Sequence, residues 1–207
     1  MNDIIIIDDV VDRHYQNQIE QHTLADHNAT PWFFQSDLTF PDIYFDDLLQ
    51  KDPTSKIVKR PGFSHMVYDT NLHIGSSYNF YSPLLYSACN GICSIKNLTQ
   101  IRMFLSIPVH GDIHKIDNPH VDKFEPHMVG LYYINDSDGD TVIFDKQFNY
   151  GIDEPWPCKT PATEIPILKT ITPKKGRFVL FNGNRYHASS QPLKSPRAVI
   201  NFNFLSV

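Results

Sequence analysis

Glutamate is scarce in this chain of 207 residues: Glu20, Glu125, Glu154 and Glu164 occur, and Asp supplies every other acid. Asp and the 15 Pro residues disfavour helix interiors and favour turns, which excludes a coiled coil. Only 9 Gly are present, which excludes a collagen. Basic residues are also in deficit, 18 Lys and Arg against 23 acids, for a net charge of −5. That balance argues against a broad nucleic-acid-binding face, so no nucleic-acid partner is expected. The three cysteines, Cys89, Cys93 and Cys158, are an odd set without the paired spacing of a zinc module, and read as small buried apolar residues. Long apolar runs are missing too. Ile4 to Ile7 is too short for a secretory signal and is flanked by Asp3, Asp8 and Asp9. Nothing approaches the roughly 18 apolar residues that span a bilayer. The resulting expectation is a cytoplasmic protein with no membrane partner.

Hydrophobic residues make up 41% of the chain and aromatics 13%, a composition that leans towards a β-rich globular fold with many turns. The length fits one domain, with no internal repeat and no second boundary. Ile4 to Ile7 predicts a short buried strand, Val11 to Asp26 a polar helix, and Thr30 to Gly62 loops with short strands. Ser82-Pro83 predicts a helix start, a capping Ser followed by Pro. Leu84, Leu85, Ala88, Cys89, Ile92 and Ile95 then recur at helical spacing, and this helix should pack against a sheet. Beyond it, strands are predicted at Leu98–Ile107, Met128–Asn135, Thr141–Asp145, Glu164–Thr172, Arg177–Phe181 and Ala198–Phe204, separated by turn-forming clusters. The expected organisation is a single domain over 1–207, with a helix-bearing support segment at 1–97 and a β core at 98–207. Lys146 to Pro161, with Trp156 between two prolines, reads as a long loop, either a tolerated insertion or a lid.

The chemistry concentrates in the second half. In His120-Val121-Asp122 an extended backbone points the first and third side chains to one side, so both could bind one ion. Roughly one such triplet arises by chance in a chain this rich in His and Asp, so alone it carries little. His187 follows after several strands, and two His with one carboxylate form the facial set that holds non-haem Fe(II). Arg197 opens the apolar run to Phe204, where a buried cation is costly unless it meets an anion. A dicarboxylate cosubstrate would supply one.

In this order the motifs resemble the 2-oxoglutarate- and Fe(II)-dependent dioxygenases, in their prolyl 4-hydroxylase-like branch. The matching pieces are His120-Val121-Asp122, Gly130 to Asn135, Asp138-Gly139-Asp140 with Thr141 to Phe144, Pro173 to Phe181, His187 and Arg197, about half the chain. The resemblance implies a mainly β double-stranded β-helix, the jelly roll or cupin-like core, with supporting helices from the N-terminal half. It implies His120, Asp122 and His187 as catalytic iron ligands, and Arg197 as the partner of the distal carboxylate of 2-oxoglutarate. Tyr133 matches a family Tyr bonded to that carboxylate, and Tyr132 has the opposite strand parity. The implied cofactors are Fe(2+), 2-oxoglutarate and O2, with ascorbate as a reductant. The implied reaction is hydroxylation of a C–H bond, releasing succinate and CO2, on a small-molecule or peptide substrate such as peptidyl proline or an amino acid. Two departures stand out: Gly139-Asp140 replaces a paired Gly, and some prolyl hydroxylases carry Lys where this chain has Arg197.

Other readings use the same residues. A zinc-binding β domain or metal hydrolase could employ the same His/Asp/His ligands, and a jelly roll could serve as a non-catalytic binding module. His110, His114 and His127 read as loop or surface histidines, and Asp117-Asn118-Pro119 as turn chemistry. Asp136, Asp138 and Asp140 resemble a calcium loop that lacks its closing Glu, and read as a solvated turn. Arg102, Arg177, Arg185 and Lys194 are lesser candidates for an anion partner. The oligomeric state stays open.

Overall fold

Along the last strand, Arg197–Ser206, alternate side chains go to opposite faces, and nearly all are buried. Ala198, Ile200, Phe202 and Phe204 join one hydrophobic cluster, while Val199 joins another on the other side. A strand buried on both faces lies between two packed layers, and the rest of the molecule is built around it.

The computed structural model describes residues 4–25, 30–39, 60–71, 73–108, 116–153, 158 and 160–207. Its strands are β1 (Ile4–Ile7), β2 (Phe33–Gln35), β3 (Gly62–Asp69), β4 (His73–Ile74), β5 (Ile95–Ser106), β6 (Met128–Tyr133), β7 (Thr141–Gln147), β8 (Ile167–Ile171), β9 (Phe178–Asn182), β10 (Arg185–Ser189) and β11 (Arg197–Ser206). Two α-helices stand among the described residues, α1 (Arg13–Leu24) and α2 (Tyr78–Cys89). A major sheet of eight strands runs β1-β9-β6-β11-β5-β3-β2 with β4 beside β3, and a minor sheet runs β10-β7-β8. All the pairings are antiparallel. This mainly β, two-sheeted architecture is the jelly-roll class predicted from the sequence.

Each face of the major sheet has its own cover. On the outer face Ile19 of α1 and Tyr81, Leu84 and Leu85 of α2 pack against Ile101, Met103, Ile200 and Phe202. On the inner face Leu131, Tyr133, Val179 and Val199 meet Ile143 and Ile171 of the minor sheet. The candidate site residues His120, Asp122, His187 and Arg197 line a cavity on this inner side. No helix among the described residues is long and apolar enough to cross a membrane.

The helices differ from their predicted bounds for local reasons. Asp12 caps α1 by accepting a bond from the Tyr15 amide at 3.0 Å, so the helix starts two residues later than predicted. Helix α2 starts at Tyr78, ahead of Ser82-Pro83, with Ser77 as its N-terminal cap and Pro83 inside it on an exposed position. It stops at Cys89 because Gly91 adopts φ +74°, the left-handed conformation that ends helices. Ile92 keeps the helical period because it packs on the same core, and Ile95 already opens β5.

The 1–97 segment adds β1 to β4 to the major sheet as well as its helices. Lys146 and Gln147, predicted to lie in a loop, complete β7. After β7, Phe148 and Cys158 are buried with Phe144 and Tyr186, which anchors both sides of that loop; residues 154–157, including Trp156, lie outside the described residues.

Candidate metal centre

His120, Asp122 and His187 converge, each offering one ligand atom, with the three atoms within 4.8 Å of one another. The alternation expected of an extended triplet holds: Val121 points into a hydrophobic cluster, while its two neighbours face the same cavity. His187 is on β10, and the backbones of His120 and His187 close a two-way bridge, with N–H to O distances of 3.0 and 2.9 Å. That bridge brings residues distant in sequence together, with ring centres 4.6 Å apart.

The same logic orients both rings. Nδ1 of His120 lies 3.1 Å from the carbonyl oxygen of Asn118, and Nδ1 of His187 lies 3.1 Å from that of Arg185. Each Nδ1–H is thereby tied to the backbone and each Nε2 is turned to Asp122 Oδ1, at 3.8 and 3.5 Å. The other oxygen, Oδ2, accepts a bond from Asn201 Nδ2 at 2.9 Å. One oxygen is fixed by the major sheet and the other is left towards the imidazoles.

Electrostatics follow from this packing. Burial, together with the neighbouring His187, pushes the His120 pKa down to about 4, so its imidazole is neutral at pH 7. Burial also opposes ionisation of Asp122, but the charge and hydrogen bond of His187 outweigh it and hold the carboxyl below its usual range. Burial works to lower the His187 pKa, but the charge and hydrogen bond of Asp122 together with the Arg185 carbonyl bring it above its ordinary value.

Arg197 lines the same cavity and is 4% exposed. Its Nη2 donates to Thr141 Oγ1 at 2.8 Å, and its guanidinium carbon lies 5.8 Å from the centre of the Tyr133 ring. The Tyr133 hydroxyl donates to the same Thr141 oxygen at 2.7 Å. Burial raises the Tyr133 pKa, so it stays a neutral donor. Arg197 Nε is buried with no hydrogen-bond partner. A buried N–H without an acceptor is costly, and an arriving carboxylate would satisfy it. Gly139 makes room for the arginine: a Cβ there would sit 3.1 Å from Arg197 Cδ and 3.0 Å from the Ser190 carbonyl oxygen.

The remaining sequence candidates separate clearly. Tyr132 packs in the opposite core, with Tyr15 and Glu20 of α1 near its hydroxyl, and does not face Arg197. Arg177 binds Asp8, Arg185 reaches Asp145, and Lys194 is exposed. Asp138 accepts backbone N–H groups from Leu193, Lys194 and Ser195, holding the loop that leads into Arg197. His127, read as a loop or surface histidine, does stand in the loop before β6, but it is 5% exposed and wedged against Gly183, where a Cβ would come 2.2 Å from its ring. His110 and His114 lie outside the described residues. Asp117, read as turn chemistry, is buried in the cavity wall as the ion-pair partner of Arg60, and burial lifts its pKa to about 6. Thr141 and Asn201 were missed as site residues, although both stood in segments already singled out.

No family model matches this chain, and no curated protein matches it. Solved structures do. A prolyl hydroxylase from Trichoplax adhaerens, in complex with a hypoxia inducible factor oxygen degradation domain peptide fragment, is similar at TM-score 0.58 and 14% identity, over 99% of this chain and 84% of that one. The non-heme alpha-ketoglutarate-dependent epimerase SnoN from nogalamycin biosynthesis is similar at TM-score 0.58 and 12% identity, over 98% and 78%. A 2OG-Fe(II) oxygenase family oxidoreductase from Burkholderia pseudomallei gives 0.57 and 9%, over 98% and 85%. At these identities the likeness shows a shared fold.

Proposed function

We propose that this chain is a non-haem Fe(II)- and 2-oxoglutarate-dependent dioxygenase that hydroxylates a C–H bond and releases succinate and CO2. One observation carries the reading: a two-His, one-carboxylate set and a buried guanidinium with an unpartnered N–H line the same cavity. The donor chemistry fits both groups. His120, Asp122 and His187 would hold Fe(II), whose preferred ligands are imidazole and carboxylate. Arg197, with Tyr133 and Thr141 beside it, would hold the distal carboxylate of 2-oxoglutarate. Iron with 2-oxoglutarate and O2 supplies an oxidising power that no side chain possesses.

The protein's own residues supply position and dryness. The backbone ties at Nδ1 fix both rings, and Asn201 fixes the carboxylate, so little reorganisation is needed to bind an ion. His187 Nε2, 3.5 Å from Asp122 Oδ1, ligates a metal only in its unprotonated form, so metal binding there competes with protons. Thr141 Oγ1 accepts from both Tyr133 and Arg197, leaving its own proton free for an anion. Phe104, Leu131 and Val199 line the cavity with apolar surface and limit water around the reacting atoms.

The substrate, by the resemblance and by the peptide-bound neighbour, lies among peptidyl-proline and amino-acid-like molecules. The test is succinate formation from labelled 2-oxoglutarate by purified protein with Fe(II), alongside metal analysis after anaerobic purification. Turnover lost in Asp122→Ala supports the proposal. Zinc retained at stoichiometry, with no coupled or uncoupled turnover, would overturn it in favour of a zinc domain or hydrolase.

A further inference from the structure

Arg102 is a second cation on the inner face, and the iron and cosubstrate sites leave it unused. On β5 it pairs in register with Asn201 of β11 on one side and Met66 of β3 on the other. Residues directly opposite share a face, and Asn201 is the residue that holds Asp122. Arg102 therefore stands beside the triad. Asn201 is four residues along β11 from Arg197, so Arg102 is displaced from the cosubstrate anchor by roughly 13 Å of strand.

Its present contacts leave it short of an anion. One N–H donates to Ser64 Oγ at 3.3 Å, and the guanidinium carbon lies 4.8 Å above the Phe104 ring. Five N–H donors in a planar fork suit a carboxylate far better than one hydroxyl does. Among the described residues no carboxylate forms an ion pair with it. Burial lowers its pKa, and the opposing influence is the charge of Asp122, which a bound dication would take up. Phe104 lines the metal cavity, while Arg102, two residues before it on β5, lines a separate groove with Phe33, Ser64 and Met66. Phe33, 58% exposed, pairs with Ser64 at the far side of that groove.

We propose, resting on the dioxygenase reading, that Arg102 binds a free carboxylate of the primary substrate. The substrate class is then a carboxylate-bearing, amino-acid-like molecule rather than an internal residue of a peptide. Its apolar part lies along Met66 and Phe33, and the carbon to be oxidised projects over Phe104 towards the triad.

The experiment compares the free proteinogenic amino acids with their primary amides, measuring succinate release above the uncoupled rate. One or more free acids should stimulate turnover while the matching amides do not. Arg102→Gln should lower that stimulation by roughly 30-fold or more, the cost of removing one partner of a desolvated charge pair. Arg102→Lys should recover part of it. Both variants should keep the uncoupled rate and the visible absorption of the iron–oxoglutarate complex. Amides equal to acids, an unchanged Arg102→Gln, or no stimulation by any acid while uncoupled turnover persists would each overturn the proposal. So would loss of the iron–oxoglutarate absorption in Arg102→Gln, which would make Arg102 part of the cosubstrate site. Absence of uncoupled turnover in the wild type would instead remove the dioxygenase reading, and this proposal with it.

Discussion

At the residue scale the site depends on a few side chains with no slack. Arg197→Leu removes the buried fork from the proposed cosubstrate site. Truncating one partner of a desolvated charge pair costs about 2–5 kcal/mol, so KM for 2-oxoglutarate should rise roughly 30- to 5,000-fold with metal affinity unchanged. Steady-state uncoupled turnover and metal titration separate the two effects. Asn201→Leu should act in the opposite sense. It frees Asp122 Oδ2, bonded at 2.9 Å, and should weaken metal binding about 10- to 100-fold while leaving the Arg197 pocket intact. The convergence of His120, Asp122, His187 and Arg197 was legible in the sequence because motif order carries it. Thr141 and Asn201 were not, since a Thr and an Asn in apolar strands give no signal until register shows what they face. Asp117 was hidden for another reason. Asp-Asn-Pro has turn chemistry, and only tertiary burial beside Arg60 gives the acid a different role.

At the scale of elements, strands dense in alternating or continuous apolar residues were legible and polar ones were not. β6, β9 and β11 lie close to their predicted bounds because both of their faces are buried. β10 escaped because Arg185-Tyr186-His187-Ala188-Ser189 puts functional side chains where a core strand would put aliphatic ones. β3 escaped because Ser64 and His65 interrupt its pattern, whereas β2, of three residues, is a short strand of the kind expected within Thr30 to Gly62. β1 also lies where it was expected, but as a partly exposed edge strand rather than a buried one, with Ile6 38% exposed, and its chain exit is held by charge. Asp8 accepts from Arg177 Nε and Nη2 at 2.6 and 3.1 Å and from Lys174 at 3.0 Å. Those bonds, Arg177 first, pull its pKa down to about 2. A depressed carboxylate stabilises above its unfolded pKa, and that contribution is lost as pH falls from about 4 towards 2. Because Asp8 is partly exposed, its network should be worth about 0.2–1 kcal/mol. Asp8→Asn should therefore lower the urea midpoint slightly at pH 7, with the difference from wild type shrinking as the pH is taken down to 3.

At the scale of the molecule, the proposed ligands would bind where the two sheets meet. His187 and Thr141 belong to the minor sheet, Asn201 and Arg197 to the major one, and His120 and Asp122 to the segment between β5 and β6. At this point Arg197 of the major sheet bonds Thr141 of the minor one, and Asn201 holds Asp122 of the intervening segment. A metal and a dicarboxylate held there would couple the layers and bind the folded state alone. Binding at a hundredfold excess over Kd stabilises by about 2.7 kcal/mol. For a chain of this length each kcal/mol moves Tm by about 2–4 °C, so Mn(II) with N-oxalylglycine should raise Tm by roughly 5–11 °C. The variants divide that shift by site. Arg197→Leu should keep the Mn(II) increment and lose the one from the oxoglutarate analogue, whereas Asp122→Ala should lose both. A wild-type protein that responds to Zn(II) but gains nothing from the analogue would place the ion without the cosubstrate. The unpartnered Arg197 Nε would then need a different anion.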